Sequence, residues 1–257
     1  MTRIEPRDAA QAAIDDPRLP AGTDERFSGY GVMGLPFSSG HYLTVRHFPA
    51  SSIGPGYTAV WHRDPQGRWQ IFANAAPEFS CSRFFSSATA FPARTCAIEE
   101  RWIDPRTLTV TVPDAISWTL TIGATGATRL MTAAGSMLPE RAWSSEMLLT
   151  AMSRVAGPVL SVGTVRLNGF VPNGQRYQFA PRRIWSIVSS SATIRGEDAG
   201  EPGRLTRQTR MADFWLPQHG IFAVGTARFE RFDSSRHRAA TELLPELGMV
   251  AGSFDGE

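Results

Sequence analysis

Short β-type runs separated by turn sequences constrain the fold of this chain more than any other feature. The chain contains many runs of about five to ten residues that are rich in β-branched or aromatic side chains, or in which apolar and polar residues alternate. These runs predict strands over 30–37, 42–48, 57–62, 69–73, 95–103, 107–112, 116–122 and 128–133. Further runs predict strands over 164–170, 176–180, 184–194, 205–216 and 221–232.

Turn sequences between neighbouring runs indicate how the strands pair. DPQG at 64–67 places proline second and glycine fourth, as a type I turn favours, and DPR at 104–106 is a similar turn. GATG at 123–126 supplies a further hairpin bend. Parallel strands need a long crossover connection, so these short links predict antiparallel pairing.

One principal helix is predicted in this β-rich chain, over about 139–156. Pro139 suits the first turn of a helix, and Gly157 and Pro158 follow its predicted end. Its apolar stripe consists of Trp143, Met147, Leu148, Met152 and Val155. The pattern as a whole predicts an all-β, predominantly antiparallel fold, either a lipocalin-like β-barrel or a closed curved sheet, with a β-sandwich as the alternative.

The length of 257 residues suits one β-barrel-like domain over 26–232, with a helical insertion at 139–158. A polar N-terminal arm (1–25) precedes it and a C-terminal tail (233–257) follows it. The arm has early charges and no apolar signal core, so we expect a cytoplasmic protein. No apolar run is long enough to span a membrane, and we expect no membrane span. The oligomeric state is not predicted.

The basic residues exclude several kinds of chemistry, because all 26 are arginine and none is lysine. Schiff-base catalysis, pyridoxal phosphate attachment and a Walker-type phosphate site each need a lysine amine. The net charge is only +2, and the densest basic stretch, RLTRQTR at 204–210, alternates with polar residues. We therefore expect no nucleic-acid binding.

Other motifs are missing as well. The chain has no GxSxG sequence, no glycine-rich phosphate loop that opens a helix, and no cluster with metal-ligand spacing. We expect no cofactor and no metal. Cys81 and Cys96 are expected to be buried thiols in a reducing compartment, and a disulfide between them is the alternative.

Two histidine patterns bear on catalysis. His41 and His47 share one face of a predicted strand but lie about 20 Å apart, too far to hold one ligand. His62 is two residues from Asp64, and such a pair could position the imidazole as a general base. The alternative is that both side chains are solvated at the end of their strand.

Glu100 is a candidate proton donor. The adjacent Glu99 and Glu100 must point to opposite faces of a strand, and Glu100 shares its face with Cys96, Ile98 and Trp102. A carboxyl group on an apolar face has a raised pKa, which suits a general acid. The alternative is a buried pair between Glu100 and an arginine.

Asp213 is the strongest candidate acid in the sequence. It lies between Met211 and Trp215 in a predicted strand, so the pleat would place all three side chains on one face. We expect Asp213 to face an internal, partly aromatic cavity and to act there as the acid, or to orient it. The alternative is an Asp paired with Arg207 or Arg210 on the outer face.

These observations predict a cofactor-independent enzyme of the cyclase, hydratase or isomerase type, acting on a mostly apolar small molecule in a β-barrel cavity. Its catalytic candidates are Asp213, Glu100 and His62. The residues predicted to contact substrate are Trp61, Trp102, Trp185, Met211, Trp215 and His219. The layout resembles that of lipocalin-like hydratases and cyclases that act on isoprenoid or polyketide substrates.

A non-catalytic carrier of an apolar ligand is the alternative function. The two functions differ in the cavity wall, because an enzyme needs an inward-facing acid and a carrier does not. Trp118 and Trp185 lie within apolar or β-branched runs, and both are predicted to be core residues.

Overall fold

One large curled sheet dominates the computed structural model, which describes residues 4–240. Its twelve strands are β1 (Glu25–Pro36), β2 (Tyr42–Ser51), β3 (Tyr57–Arg63), β4 (Trp69–Ala73), β5 (Arg94–Thr95), β6 (Glu99–Trp102), β7 (Thr107–Val112), β8 (Ile116–Gly123), β9 (Asn168–Phe170), β10 (Arg176–Ile194), β11 (Glu197–Asp198) and β14 (Ile221–Phe229). The helices are α1 (Pro6–Asp15), α2 (Ser82–Phe85), α3 (Gly126–Met137) and α4 (Glu146–Leu160). A separate hairpin pairs β12 (Arg210–Met211) with β13 (Phe214–Trp215).

Neighbouring strands of the sheet follow the order β5-β4-β3-β2-β1-β14-β10-β8-β7-β6, and β9 and β11 also pair with β10. In this sheet β4 and β5 are parallel, and the other recorded pairs are antiparallel. The predicted fold class, a mostly antiparallel β protein, is therefore confirmed. The protein is mostly β, with a half-barrel sheet and few helices.

The long strand β10 joins the two halves of the sheet. Residues 177–186 of it pair with β14, and residues 186–194 pair with β8. The register shifts between Pro181 and Arg183 and again between Ile187 and Ser189. Such irregularities bend a strand and increase its twist, so the sheet can curl around its own inner face. The two strands predicted over 176–180 and 184–194 are thus one strand.

Each face of the sheet packs into its own hydrophobic core. The inner face brings β1, β2 and β14 against β7, β8 and the end of β10, with Trp118, Leu120 and Phe222 at its centre. Trp118 is 0% exposed and Trp185 is 7% exposed, so the prediction that both are core residues is confirmed. The outer face of β1–β4 packs an aromatic core that includes Trp61, Phe84 and Phe85.

The strand predicted over 128–133 is wrong, because α3 occupies these residues. Thr125 accepts a hydrogen bond from the backbone N–H of Thr128, and the Thr128 hydroxyl accepts one from the backbone N–H of Thr125. This reciprocal capping box begins a helix where GATG had suggested a hairpin bend.

The helix predicted over 139–156 has different bounds. A 3-10 helix covers Glu140–Ser144, and α4 then runs over Glu146–Leu160 with Ser145 as its N-cap. It continues through Gly157 and ends at Leu160, and its C-cap Ser161 adopts the left-handed conformation with φ of 55°. Among the described residues α4 is the longest helix.

The structure describes residues 4–25 of the predicted N-terminal arm and residues 233–240 of the predicted C-terminal tail. The polar arm contains α1, which Pro6 helps to begin and whose Ala9 and Ala10 pack against the inner core. Most of the predicted tail, residues 241–257, lies outside the described residues. Within 4–240, no helix has the length and apolar character needed to cross a bilayer.

Candidate functional site

An apolar cavity of about 120 Å³ lies on the outer face of the sheet, between β1, β10 and β14 and a cover made of α3, α4, residues 162–167 and β13. Its wall includes Met33, Phe48, Phe179 and Trp215. The cavity is therefore outside the curl of the sheet. The prediction placed the cavity inside a β-barrel, whereas the inner face of this curled sheet packs a hydrophobic core.

Glycines form the floor of this cavity. Gly29 of β1 pairs with Gly225 of β14, and both lie in the wall. A Cβ at Gly29 would lie 2.0 Å from the backbone oxygen of His47, and one at Gly225 would lie 2.2 Å from that of Ala180. No side chain fits at either position without a backbone shift, so the floor stays free of side chains.

Arg46 of β2 gives this apolar wall a positive charge. Arg46 is 2% exposed and belongs to the cavity wall, and its guanidinium lies 5.3 Å from the ring centroid of Trp61. Nη1 donates to the backbone oxygens of Val32 and Val45, and Nη2 donates to that of Met33 at 3.3 Å. These bonds fix the side chain in place but supply no negative charge.

No carboxylate among the described residues forms an ion pair with Arg46. Burial lowers the pKa of Arg46 to about 10, so the group is still a cation at neutral pH. A buried ion without a counter-ion costs several kcal/mol, and the stabilising contacts of this guanidinium are backbone oxygens and the Trp61 ring. Within residues 4–240, the positive charge of Arg46 therefore has no carboxylate counter-charge.

The rest of the wall offers little for acid–base chemistry. No Asp, Glu, His or Cys belongs to the described lining, and its other cation, Arg166, is already paired with Asp213. Trp215 contributes an indole Nε1 that is buried and has no acceptor within residues 4–240. The lining therefore suits the binding of an anion with an apolar body.

A second group of polar side chains lies on the inner face of the sheet. The Nδ1 atom of His47 is 2.7 Å from Oε1 of Glu100, and Tyr30 donates to Oε2 of Glu100 at 3.0 Å. Thr58 donates to Oε1 of Glu100 at 2.9 Å, and the rings of Tyr30 and His47 stack at 4.8 Å. Because β6 is an edge strand, these bonds connect it through Glu100 to β1, β2 and β3.

Glu100 lies on the apolar inner face of the sheet, as predicted. Its hydrogen-bond partners, however, are not arginines. Its side chain is 8% exposed and bonds to His47, Tyr30 and Thr58, where an arginine had been the alternative partner. Burial and the charge of Glu100 raise the pKa of Tyr30 well above its ordinary range. His47, 24% exposed, is the more accessible member of the pair.

His62 makes a different contact from the predicted one. Its Nε2 atom is 2.9 Å from Nδ1 of His41, whereas Asp64 binds Arg68 through an ion pair of 2.7 Å. The expected His62–Asp64 hydrogen bond is replaced because the turn brings Arg68 back to Asp64. Burial, together with the charge of His41, lowers the pKa of His62 to about 4.

Stability should fall in acid because of His62. Its folded pKa of about 4 is below the ordinary value of 6.5, so the unfolded chain binds the proton more readily. The contribution is complete above pH 6.5 and is lost as the pH falls toward 4, at up to about 1.4 kcal/mol per pH unit. Urea unfolding of wild type and His62→Gln between pH 7 and 4.5 measures it. Identical pH slopes for the two proteins would contradict this assignment.

The prediction that Asp213 shares a strand face with Met211 and Trp215 is wrong. Asp213 lies in the turn between β12 and β13, next to Ala212 with φ of 52°. Its carboxylate is 30% exposed, pairs with Arg166 at 2.6 Å and accepts the backbone N–H of Phe170. A tight hairpin turn breaks the alternation that the sequence implied, so Asp213 does not face the cavity as an acid.

The six predicted substrate contacts are spread over the molecule. Trp215 lines the cavity, Trp61 lies beside Arg46, and Met211 is buried in the outer core. Trp102 and Trp185 pack against Phe222 on the inner face. The remaining residue, His219, is exposed.

Sequence reasoning missed Arg46, His47, Tyr30 and Thr58. Tyr30 and His47 are paired across β1 and β2, but that register is set by a bulge that no local pattern reveals. For Arg46 the signal was its place between Thr44 and Phe48 on one face of a predicted strand. Within the described residues, no group of three or more His, Cys, Asp or Glu could hold a metal. Cys81 and Cys96 are free thiols.

The chain has a distant likeness in fold to two solved structures. No family model matches the chain, and no curated protein sequence matches it significantly. An acetoacetate decarboxylase structure from Legionella pneumophila is 10% identical with a TM-score of 0.37, over 83% of this chain and 87% of that chain. A second acetoacetate decarboxylase structure is 9% identical with a TM-score of 0.39, over 86% and 90%. At these identities and TM-scores, neither structure supports an argument about the activity of this chain.

Proposed function

We propose that this protein binds a small, mostly apolar carboxylate in the cavity on the outer face of its sheet. The observation that carries the proposal is Arg46, a buried cation in an apolar wall with no carboxylate partner among the described residues. A bound carboxylate would supply the missing counter-charge and accept charge-assisted hydrogen bonds from the guanidinium. The apolar part of the ligand would replace empty space beside Met33, Phe179 and Trp215.

The cavity also limits ligand size. A volume of about 120 Å³ is close to cavities of roughly 150 Å³ that hold one benzene ring. Ligands about the size of benzoate or a short branched fatty acid fit this limit. The wall contains no carboxylic acid or imidazole, so it favours the carrier function over an acid-catalysed reaction in this cavity.

Benzoate and benzamide provide the direct test, because they have nearly the same shape and differ in charge. We expect benzoate to bind the wild-type protein at least about tenfold more tightly at pH 7, a difference of about 1.4 kcal/mol. Isothermal titration calorimetry at a fixed salt concentration measures both affinities. Equal affinities, or tighter binding of benzamide, would refute a role for the charge.

Acid–base catalysis on the inner face is the second candidate function, and the contact between His47 and Glu100 favours it. A carboxylate bound to Nδ1 orients an imidazole and leaves its Nε2 atom for a substrate. This candidate requires a reaction that Glu100→Gln abolishes while benzoate binding in the cavity is unchanged. A substrate that is turned over equally by wild type and Glu100→Gln would exclude the role.

A further inference from the structure

A polar cleft of about 980 Å³ lies beside the cavity and shares two wall residues with it, Val165 and Arg166. The cleft is bounded by the second half of α4, residues 161–166, β9 and the loop that carries Arg204 and Gln208. Val165 and Arg166 therefore form the partition between the open cleft and the apolar cavity.

The charge of this cleft is positive. Arg154, Arg166 and Arg204 line it, and no Asp or Glu belongs to its described lining. Asp213 pairs with Arg166 but does not belong to the lining. The three arginines and this aspartate together carry a net charge of +2. Arg204 also donates to the backbone oxygen of Ser161 at 2.8 Å, which offsets the negative end of α4.

Gln208 holds the partition in place. Its Oε1 atom accepts the backbone N–H of Thr164 at 2.8 Å, and its Nε2 atom donates to the backbone oxygens of Thr164 and Leu216. Arg166 is held in addition by its ion pair with Asp213. Residues 161–166 belong to no strand, so this side of the cavity lacks a strand ladder and opens at lower cost than the sheet on the other side.

We propose that this cleft is the entrance to the cavity and that its arginines attract the anionic ligand toward it. The proposal rests on the proposed carboxylate binding, since the cleft has a function only if an anion enters. A concave surface of one sign of charge raises the local concentration of an opposite ion and its association rate, by tenfold or more at low salt. Screening by salt should remove this gain.

The test measures association and dissociation rates of 4-fluorobenzoate by ¹⁹F NMR line shapes at 10 and 500 mM NaCl. For wild type we expect the association rate to fall by about tenfold at high salt. The dissociation rate should change by less than twofold. Arg154→Glu should lower the association rate at low salt several-fold, because Arg154 is an exposed cleft residue that forms no ion pair within residues 4–240.

The matched control is Arg129→Glu, which makes the same change in charge on the exposed face of α3, outside both walls. Equal association rates for Arg154→Glu and Arg129→Glu would overturn the entrance proposal and leave carboxylate binding intact. An association rate independent of salt would overturn it as well. If neither benzoate nor 4-fluorobenzoate binds wild type, both proposals fail.

Discussion

Trp118→Ala should lower the free energy of unfolding by about 3–5 kcal/mol, the range for removing a large aromatic side chain from a packed core. Trp118 is fully buried at the centre of the inner core, on β8. Its Nε1 donates to the Ser190 hydroxyl at 2.8 Å, and that hydroxyl donates to the backbone oxygen of Thr119. The substitution therefore creates a cavity and also removes a partner from a polar group on β10.

Val188→Ala is the control for Trp118→Ala. Val188 lies on the same strand β10 as Ser190 but is one of the exposed large apolar residues. Its replacement should change stability by no more than about 0.5 kcal/mol. Chemical denaturation of the three proteins gives both differences. A loss below about 1 kcal/mol for Trp118→Ala would show that the inner face of the curled sheet is not the main core.

Arg46→Gln should weaken benzoate binding about 100-fold, or roughly 2.7 kcal/mol, because hydrogen bonds to a charged group contribute about 1.5–3 kcal/mol each. Glutamine retains a donor but removes the charge. The affinity for neutral benzamide should change by less than about threefold. This selective loss is measured by the same calorimetric titrations.

Two further measurements separate ligand binding from folding at Arg46. The side chain also donates to backbone oxygens of Val32, Val45 and Met33, so its loss has a structural cost. Arg46→Lys keeps the charge and should recover part of the benzoate affinity. Melting temperatures show whether each variant is folded during the titration. Full benzoate affinity in a folded Arg46→Gln protein would disprove the counter-ion role.

The strands with regular alternation and tight turns could be predicted from the sequence. Those predicted over 42–48, 57–62, 69–73, 107–112 and 116–122 correspond to β2, β3, β4, β7 and β8. β7 and β8 bury alternate residues, which leaves a period-two signal. β2, β3 and β4 are buried on both faces, and their apolar, β-branched and aromatic residues bounded by turns gave the signal instead. The mostly β fold followed from these segments.

The failures have local physical reasons. Residues 128–133 contain threonine and leucine that suit a strand, but the capping box at Thr125 begins a helix there. Residues 205–216 alternate like a strand, yet Ala212 adopts a left-handed conformation and turns the chain at Asp213. In both cases a few backbone groups outweighed the side-chain pattern.

The candidate site was less predictable than the fold. Glu100 could be assigned to the inner face from alternation, but its partners Tyr30, His47 and Thr58 come from three other strands. The cavity depends on how α3, α4 and β13 cover the outer face, which is tertiary information. Arg46 was not predicted as a site residue, because the sequence around a buried arginine on a strand has the same pattern as the sequence around a solvated one.

A crystal structure with selenophene-2-carboxylate would test the carboxylate proposal most directly, since anomalous scattering from selenium locates the ligand. We expect the ring beside Met33, Phe179 and Trp215, and the carboxylate oxygens within about 3.2 Å of the Arg46 guanidinium. A ligand bound on the inner face near Glu100, or one whose carboxylate points away from Arg46, would contradict the account.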